Sequence, residues 1–271
     1  MDTATKVDQS TTMSELATGI SEWLRGHLEK SGADRFVLGL SGGIDSAVVA
    51  GLAARGVGSD RVLGVMMPSA SNPDDLASAK LVAEAFGIPT MLVDLSATTT
   101  ALLSTLPTPE EVASTLHLDT AATTEAQQLA NANVKPRLRM TTLYYVANLC
   151  RGIVLGTGNR SEAMIGYFTK YGDGGVDLKP IVNLYKHEVR AIASVIGVPQ
   201  SVIDRPPSAG LWQGQTDEDE IGITYDELDR TLMAIEQGAT ESTDPTVLAK
   251  VQSMIAGSAH KREPVPEFVR D

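Results

Sequence analysis

RFVLGLSGGIDS, residues Arg35–Ser46, passes from a short apolar run into a loop rich in glycine and serine. The run Arg35–Leu40 predicts a buried β-strand, because Gly32 precedes it and two glycines follow it. Ile44–Arg55 comes next, is rich in alanine and valine, and predicts a helix. The stretch therefore predicts a strand–loop–helix unit whose helix directs its N-terminal amides towards the loop.

The same alternation continues along the first third of the chain. Val62–Met67 and Thr90–Leu95 predict the second and third strands. The helix between them begins at Asn72, with a proline in its first turn, and ends before Gly87. Ser14–Lys30 predicts an amphipathic helix in front of the first strand. Because strands that alternate with helices form parallel sheets, we predict an α/β fold with a doubly wound parallel sheet flanked by helices.

Helices dominate the rest of the predicted order. A long helical stretch follows the third strand, breaks near Asn133–Pro136 and resumes through Leu149, and Ile153–Leu155 predicts a fourth strand. Further helices are predicted at Tyr185–Ile196, at Thr224–Gln237 and after Asp244. We predict a single domain over residues 1–271, with mobile ends at about residues 1–12 and 262–271.

Composition and charge exclude several classes of function. The chain has 271 residues, and its 42% hydrophobic content is ample for a buried core. The absence of a long apolar run or a signal peptide predicts no membrane partner and a cytoplasmic location. The formal net charge of −12 argues against a nucleic-acid partner, which needs a basic surface. The single cysteine, Cys150, excludes an internal disulfide and is predicted to be a small buried hydrophobe.

The loop Ser41–Ser46 has the composition of an anion site. Ligands of open α/β sheets bind beyond the carboxyl ends of the strands, where this loop lies. Its glycines allow the backbone to approach a ligand, and its serines and the helix amides offer donors. It is not a Walker loop, and Gly156-Thr157-Gly158 is not a dinucleotide fingerprint, because Ser161 replaces the third glycine. A plain turn rarely combines two glycines, two serines and an acid, so we predict a phosphate site.

Several separated segments carry a resemblance to one enzyme family. Ser41–Ser46 resembles the SGGxDS loop of the ATP pyrophosphatases, and Gly156–Gly175 reads GTGNRSEAMIGYFTKYGDGG. With Val134–Met140, Pro207–Gly214 and Thr216–Asp229, these segments resemble ammonia-dependent NAD synthetases from about Ser14 to Lys261. The resemblance implies an adenine-nucleotide alpha hydrolase-like fold. It also implies amidation of deamido-NAD (nicotinate adenine dinucleotide) by ammonia, with ATP cleaved to AMP and pyrophosphate through an acyl-adenylate.

The resemblance implies an ATP site around the loop, with ATP as co-substrate. Asp45 and Glu162 are implied to hold Mg²⁺, which prefers one or two carboxylates with phosphate oxygens and water. A helix-start acid stabilised by the helix dipole is the alternative for Glu162. Asp45 and Lys186 are the implied catalytic residues at the phosphates. The implied ATP-binding residues are Gly39, Leu40, Ser41, Gly42, Gly43, Ile44, Asp45, Ser46, Thr157, Lys186 and Ser208.

The second implied site binds deamido-NAD. Arg137 is suited to a carboxylate or phosphate, and Asp177 to a ribose hydroxyl. The implied set is completed by Lys170, His260 and Lys261. We predict two mobile covers for the site, Ala209–Glu220 and Ala259–Val265, because both are polar and lack helical period.

The segment Gly172-Asp173-Gly174-Gly175 predicts a flexible loop near the chemistry. Our hypothesis makes Asp173 a third catalytic residue, which holds ammonium or takes its proton so that neutral ammonia attacks. An Asp-Gly turn without a chemical role is an equal alternative.

Two other classes of function stay open at this point. The loop is also consistent with another adenylating enzyme, such as a transfer-RNA thiolase or a lysidine-forming ligase. The single cysteine and the acidic net charge argue against both. A non-catalytic nucleotide-binding or stress protein fits the layers but has no need of Asp45, Glu162 and Lys186 together. The resemblance further implies a homodimer built on the long helices on either side of Pro136. No glutaminase domain is visible, so free ammonia is the default nitrogen source, and a separate amidotransferase subunit stays open.

Overall fold

Four parallel strands form one sheet in the computed structural model, which describes residues 3–69, 72–208 and 216–270. The strands are β1 (Arg35–Gly39), β2 (Val62–Met66), β3 (Thr90–Leu92) and β4 (Gly152–Leu155). Their order is β3-β2-β1-β4, and β1 pairs in parallel with both β2 and β4. The predicted parallel α/β sheet is therefore confirmed, and the loop that follows β1 lies at the centre of its carboxyl edge.

Helices connect and cover the strands. In the first half of the chain they are α1 (Thr3–Ser31), α2 (Ile44–Val57), α3 (Pro73–Phe86), α4 (Ser96–Leu103), α5 (Pro109–Leu116), α6 (Thr124–Ala132) and α7 (Val134–Leu149). In the second half they are α8 (Arg160–Ile165), α9 (Lys186–Ile196), α10 (Gln200–Ile203), α11 (Asp217–Ile221), α12 (Tyr225–Gln237), α13 (Pro245–Gly257) and α14 (Ala259–Arg262).

Successive residues of β1 face opposite layers of the fold. Phe36 and Leu38 are fully buried among apolar residues of α1, α2 and α9. Val37 is fully buried on the other face, against α7. Burial of such side chains contributes about 1.5–3 kcal/mol each, so the alternation fixes the register of the central strand. A third apolar cluster joins α8, α12 and α13 beyond the end of β4.

Three segments that were predicted to be mobile contain helical residues, and their mobility stays a prediction. Helix α1 begins at Thr3, so the stretch predicted as a mobile N-terminus is partly helical. The cover predicted at Ala259–Val265 contains α14, and Thr216–Glu220 of the other cover caps and enters α11. Both helices are too short to show a helical period in the sequence. The remainder of that cover, residues 209–215, lies outside the described residues.

Two further observations complete the fold. No helix within the described ranges is long and apolar enough to cross a bilayer. Cys150 is half-buried at the end of α7, where it packs at the edge of the apolar cluster beneath that helix. The expectation of a small, buried hydrophobe at this position therefore holds only in part.

Candidate active site

The loop after β1 is stabilised by its own serines. Ser46 Oγ donates to the carbonyl of Gly43 (2.9 Å) and accepts from Ser41 Oγ (3.0 Å). Ser41 Oγ in turn accepts the N–H of Gly43 (3.2 Å). Among the described residues, no side chain caps the start of α2. Its first amides are therefore available to an anion, while the serines are occupied within the loop.

Gly42 is required by packing against α3. Its φ is +84°, and a Cβ at this position would lie 2.2 Å from the carbonyl oxygen of Asp75. The left-handed backbone is strained for any residue with a side chain. The glycine was expected to allow close approach of a ligand, whereas the structure shows close approach of the neighbouring helix α3. Gly43, with nothing nearer than Ser41 Oγ at 3.4 Å, is the glycine that leaves space open.

Lys186 joins the two carboxylates predicted to hold a metal. Its Nζ lies 2.6 Å from Asp45 Oδ2 and 3.2 Å from Glu162 Oε1, and the lysine side chain is only 1% exposed. Burial alone lowers the pKa of Lys186, but the charges of Asp45 and Glu162 outweigh it and raise the pKa above its ordinary value. The structure thus brings these three residues, far apart in sequence, into one charged cluster, the Asp45–Glu162–Lys186 cluster.

Glu162 serves the fold and the cluster at the same time. Its Oε2 accepts the N–H of Asn159 (3.4 Å), while Asn159 Oδ1 accepts the N–H of Glu162, which closes a capping box at the start of α8. Glu162 therefore stabilises the start of α8, as the alternative interpretation predicts, and also contacts Lys186. The pKa of Glu162 is raised to about 7: burial is the largest cause, Lys186 opposes it, and the charges of Asp45 and Asp217 add to the rise.

Three residues without a predicted role complete the cluster. Asn159 is fully buried and donates from Nδ2 to Asp45 Oδ1 (2.9 Å). Tyr225 places its ring 4.7 Å from Lys186 Nζ, and its hydroxyl contacts Glu162 Oε1 (3.2 Å) and Asp217 Oδ2 (2.9 Å). Asn159 had a signal, the N-x-x-E pattern of a capping box after a strand. Tyr225 and Asp217 had none, because only the packing of α11 and α12 brings them to α8.

The cluster has the composition of a magnesium site. Asp45 and Glu162 already share one cation, the ammonium of Lys186, so the space between their oxygens accepts positive charge. No group of three or more ligating side chains occurs in the part of the chain that the structure describes. Two carboxylates suit an ion that takes its remaining ligands from phosphate and water. The residues present therefore fit Mg²⁺ delivered with a nucleotide.

The residues predicted to bind the dinucleotide are linked by a C-terminal latch, which we define as Lys170, His260 and Lys261. Lys170 Nζ donates to the carbonyl of His260 (2.7 Å). Lys261 Nζ donates to the carbonyls of Gly166 and Phe168 (both 2.7 Å). The latch fastens α14 to the segment that follows α8. Arg137 of α7 reaches the same segment, with its guanidinium 3.4 Å from the carbonyl of Lys170.

Asp173 lies in a tight turn beside the latch. Its Oδ1 accepts the N–H of Thr169 (2.9 Å), and the N–H groups of Gly172 and Gly174 donate to the Thr169 carbonyl. The predicted loop is a turn that packs closely on Phe168, since a Cβ at Gly174 would lie 2.7 Å from its ring, and the flexibility of the segment stays a prediction. Although Asp173 is exposed at the surface of the turn, the protein packed around its carboxyl group raises its pKa by desolvation, and the hydrogen bond from the Thr169 N–H opposes that rise.

The last three predicted site residues occupy different places. Thr157 is the second residue after β4 and is half-buried. Asp177 accepts hydrogen bonds with both oxygens, from the Tyr144 hydroxyl (2.9 Å) and from the Val154 N–H (2.8 Å). A ribose hydroxyl would therefore share an acceptor that the protein already uses. Ser208 is exposed and immediately precedes residues 209–215, which are outside the described ranges.

Comparison with known proteins gives one consistent result. A family model described as NAD synthase matches residues 16–265. The NH(3)-dependent NAD(+) synthetase of Archaeoglobus fulgidus is 44% identical over 249 residues, which cover 91% of this chain and 93% of that protein. Among solved structures, NMN synthetase from Francisella tularensis superposes with a TM-score of 0.79 at 34% identity, covering 94% of this chain and 99% of the other. NH3-dependent NAD synthetase from Campylobacter jejuni gives a TM-score of 0.75 at 25% identity, covering 95% and 99%.

Proposed function

This chain belongs to the NAD synthase family, and we infer from that membership and from its site that it is an ammonia-dependent NAD synthetase. The reaction is the ATP-dependent amidation of deamido-NAD by ammonia to give NAD. The observation that carries this assignment is the Asp45–Glu162–Lys186 cluster, placed beside a loop of unpaired helix amides at the carboxyl ends of β1 and β4. Such a site suits a polyphosphate with a divalent cation.

We propose a mechanism in two steps, with the first at the cluster. The nicotinate carboxylate of deamido-NAD attacks the α-phosphorus of ATP, the bond from that phosphorus to pyrophosphate breaks, and an acyl-adenylate forms. The amides at the start of α2 and the ammonium of Lys186 stabilise the negative charge on the departing pyrophosphate. Mg²⁺, held by Asp45 and Glu162, supplies further charge neutralisation when bound.

In the second step ammonia attacks the acyl carbon, the carbon–oxygen bond to AMP breaks, and the attacking nitrogen releases one proton to water to give the amide. The attacking nitrogen must be neutral, so ammonium has to lose a proton before or during attack. Asp173 is the proposed acceptor of this proton, because it is solvent-accessible, carries a carboxylate and lies beside the latch residues that match the dinucleotide site.

Asp173→Asn tests this role. The asparagine oxygen still accepts the N–H of Thr169, so the turn is kept. We expect the variant to lose roughly 10²-fold in kcat/KM for ammonium at neutral pH, the lower end for a general base. Because the pKa of Asp173 is raised, the wild-type rate should fall as acid protonates it, and the variant should recover only at alkaline pH, where ammonia is free. Asp119→Asn on the exposed surface is the control, and an unchanged pH profile for Asp173→Asn would exclude the role.

The function itself is tested by pyrophosphate release from ATP with Mg²⁺ and ammonium, with and without deamido-NAD. We expect release that requires deamido-NAD and yields NAD, and its loss in Asp45→Ala and Glu162→Ala. Nicotinate mononucleotide belongs in the same assay, because the similar Francisella structure is an NMN synthetase. If only the mononucleotide is turned over, it is the substrate in place of deamido-NAD. If ATP binds but neither compound causes pyrophosphate release, the assignment is wrong.

We also propose that the chain forms a homodimer through α6 and α7, the helices expected on either side of Pro136; the break between them lies at Asn133, and Pro136 is in the first turn of α7. Large apolar side chains stand exposed there in the single chain, namely Leu129 (54%), Tyr145 (65%) and Leu149 (72%). Sedimentation equilibrium is expected to give twice the chain mass of 28.7 kDa. Tyr145→Glu with Leu149→Glu should return the mass to one chain, whereas Leu81→Glu on α3 should not. A wild-type monomer at micromolar concentration would contradict the proposal. The cytoplasmic location stays a prediction of the sequence.

A further inference from the structure

A buried carboxylate, that of Asp229, lies where three helices meet. Asp229 belongs to α12 and is 2% exposed. Its Oδ1 accepts the hydroxyl of Ser161 from α8. Its Oδ2 accepts the backbone N–H of His187 in α9 (3.0 Å) and lies 2.9 Å from His187 Nδ1. None of these contacts involves a side chain of the Asp45–Glu162–Lys186 cluster, although Ser161 and His187 are the chain neighbours of Glu162 and Lys186.

The carboxylate holds the first two amides of α9. Lys186 is the first residue of this helix, and its N–H donates to Ser161 Oγ (3.0 Å), which in turn donates to Asp229. The N–H of His187, the second residue, donates to Asp229 directly. The first amides of a helix have no partner within the helix and carry its positive dipole end. Asp229 therefore fixes the backbone from which the Lys186 side chain extends.

The same carboxylate also fixes the helix that carries Glu162. Ser161 is fully buried and immediately precedes Glu162 in the first turn of α8. One carboxylate thus sets the start of α8 and the start of α9 relative to each other. The distance between Glu162 and Lys186 depends on both starts.

Ser161, His187 and Asp229 have the residue types of a hydrolytic triad but not its arrangement. In a triad the histidine stands between serine and aspartate and takes the serine proton. Here Asp229 stands between the other two, and the Ser161 hydroxyl donates to Asp229. Ser161 is also inaccessible to solvent. The three residues therefore form a structural link, not a nucleophile.

We propose that Asp229 is a positioning residue for the synthetase reaction, which holds Lys186 against the phosphates of ATP and in register with Glu162. The expected effect on kcat rests on the proposed function. The fixing of the starts of α8 and α9 by Asp229 does not. The role differs from simple stabilisation, because it predicts that the effect on catalysis passes through Lys186.

Asp229→Asn is the first test. Asparagine has one acceptor oxygen where the carboxylate has two, so one of the two helix starts loses its partner. We expect kcat to fall by roughly 10²-fold, the effect of a displacement of about 1 Å, with little change in KM for ATP. Asp226→Asn is the matched control, because Asp226 also joins α12 to α9, through Arg190, but at the exposed surface. Leu232→Ala, in the core of α12, controls for lost stability and should leave kcat of the folded protein unchanged.

A double-mutant cycle decides whether the effect passes through Lys186. The double variant Lys186→Met with Asp229→Asn should have the same kcat as Lys186→Met alone. An equal loss in both backgrounds, or an unchanged kcat in the single variant, would overturn the proposal.

Hydrogen exchange separates this proposal from the assignment of the reaction. The amides of Lys186 and His187 should be protected in the wild type and exchange roughly tenfold faster in Asp229→Asn. Equal exchange in both proteins would overturn the positioning role even if NAD is formed. Faster exchange in a protein that forms no NAD would sustain that structural role and reject the reaction instead.

Discussion

Lys186→Met is expected to lower kcat for pyrophosphate release by about 10²–10³-fold, the loss typical when one donor to a developing charge is removed. The variant should also be less stable, by an amount near the lower end of the roughly 3–5 kcal/mol that follows from breaking a buried ion pair. The lower end applies because Asp45 and Glu162 keep 19% and 16% of their side-chain surface in contact with solvent.

The same variant tests the magnesium site without reference to activity. In the wild type the ammonium of Lys186 lies between the carboxylates of Asp45 and Glu162, so Mg²⁺ without nucleotide has to compete with it. Mg²⁺ alone should therefore raise the Tm of Lys186→Met more than that of the wild type. Lys179→Met, an exposed lysine with no assigned role, is the control. Equal shifts in all three proteins would contradict a metal site at these carboxylates.

Gly42→Ala is expected to destabilise the fold, whatever it does to ATP. A side chain at φ +84° carries a strain of about 1–2 kcal/mol, and its Cβ would overlap the Asp75 carbonyl at 2.2 Å. Overpacking of this kind costs roughly 1–3 kcal/mol more, because helix α3 has to move. We expect the urea midpoint to fall accordingly, with an unchanged m-value.

Gly43→Ala is the matched comparison, because it adds the same methyl group one residue later. Its φ of −87° is ordinary, and its nearest neighbour lies at 3.4 Å, so stability should change by no more than about 1 kcal/mol. If the start of α2 cradles phosphate, this variant should nevertheless weaken ATP binding. If the urea midpoint of Gly42→Ala equals that of the wild type, the packing against Asp75 is not rigid.

The central part of the fold was predictable because its signals are local. The apolar run of β1, the glycines of the loop and the alanine-rich start of α2 lie within one short stretch, and each has its own periodicity or turn chemistry. The region between β3 and α7 was predicted only as a long helical stretch. Its division into α4, α5 and α6 depends on individual caps: Thr108 forms a capping box with Glu111, and Thr123 accepts the N–H of Ala126.

The site was predictable in its charged residues and not in their supports. Asp45, Glu162 and Lys186 lie in segments that resemble the family, and the structure brings them together. Asp229 lies in one of the same segments, but its role was hidden because its partner Ser161 is 68 positions away. Such contacts follow from the packing of α12 on α8 and α9. The sequence pattern of a single segment does not predict that packing.

The C-terminal latch has a consequence for how the protein is made. Synthesis proceeds from the N-terminus, and domains begin to fold as they emerge. The strands, the loop after β1 and the Asp45–Glu162–Lys186 cluster all precede residue 190, whereas the latch closes only when Lys261 reaches the carbonyls of Gly166 and Phe168. The residues of the Asp45–Glu162–Lys186 cluster are therefore expected to be available for folding before the residues that close the latch. The latch contacts are expected to form later than the sheet and the loop after β1.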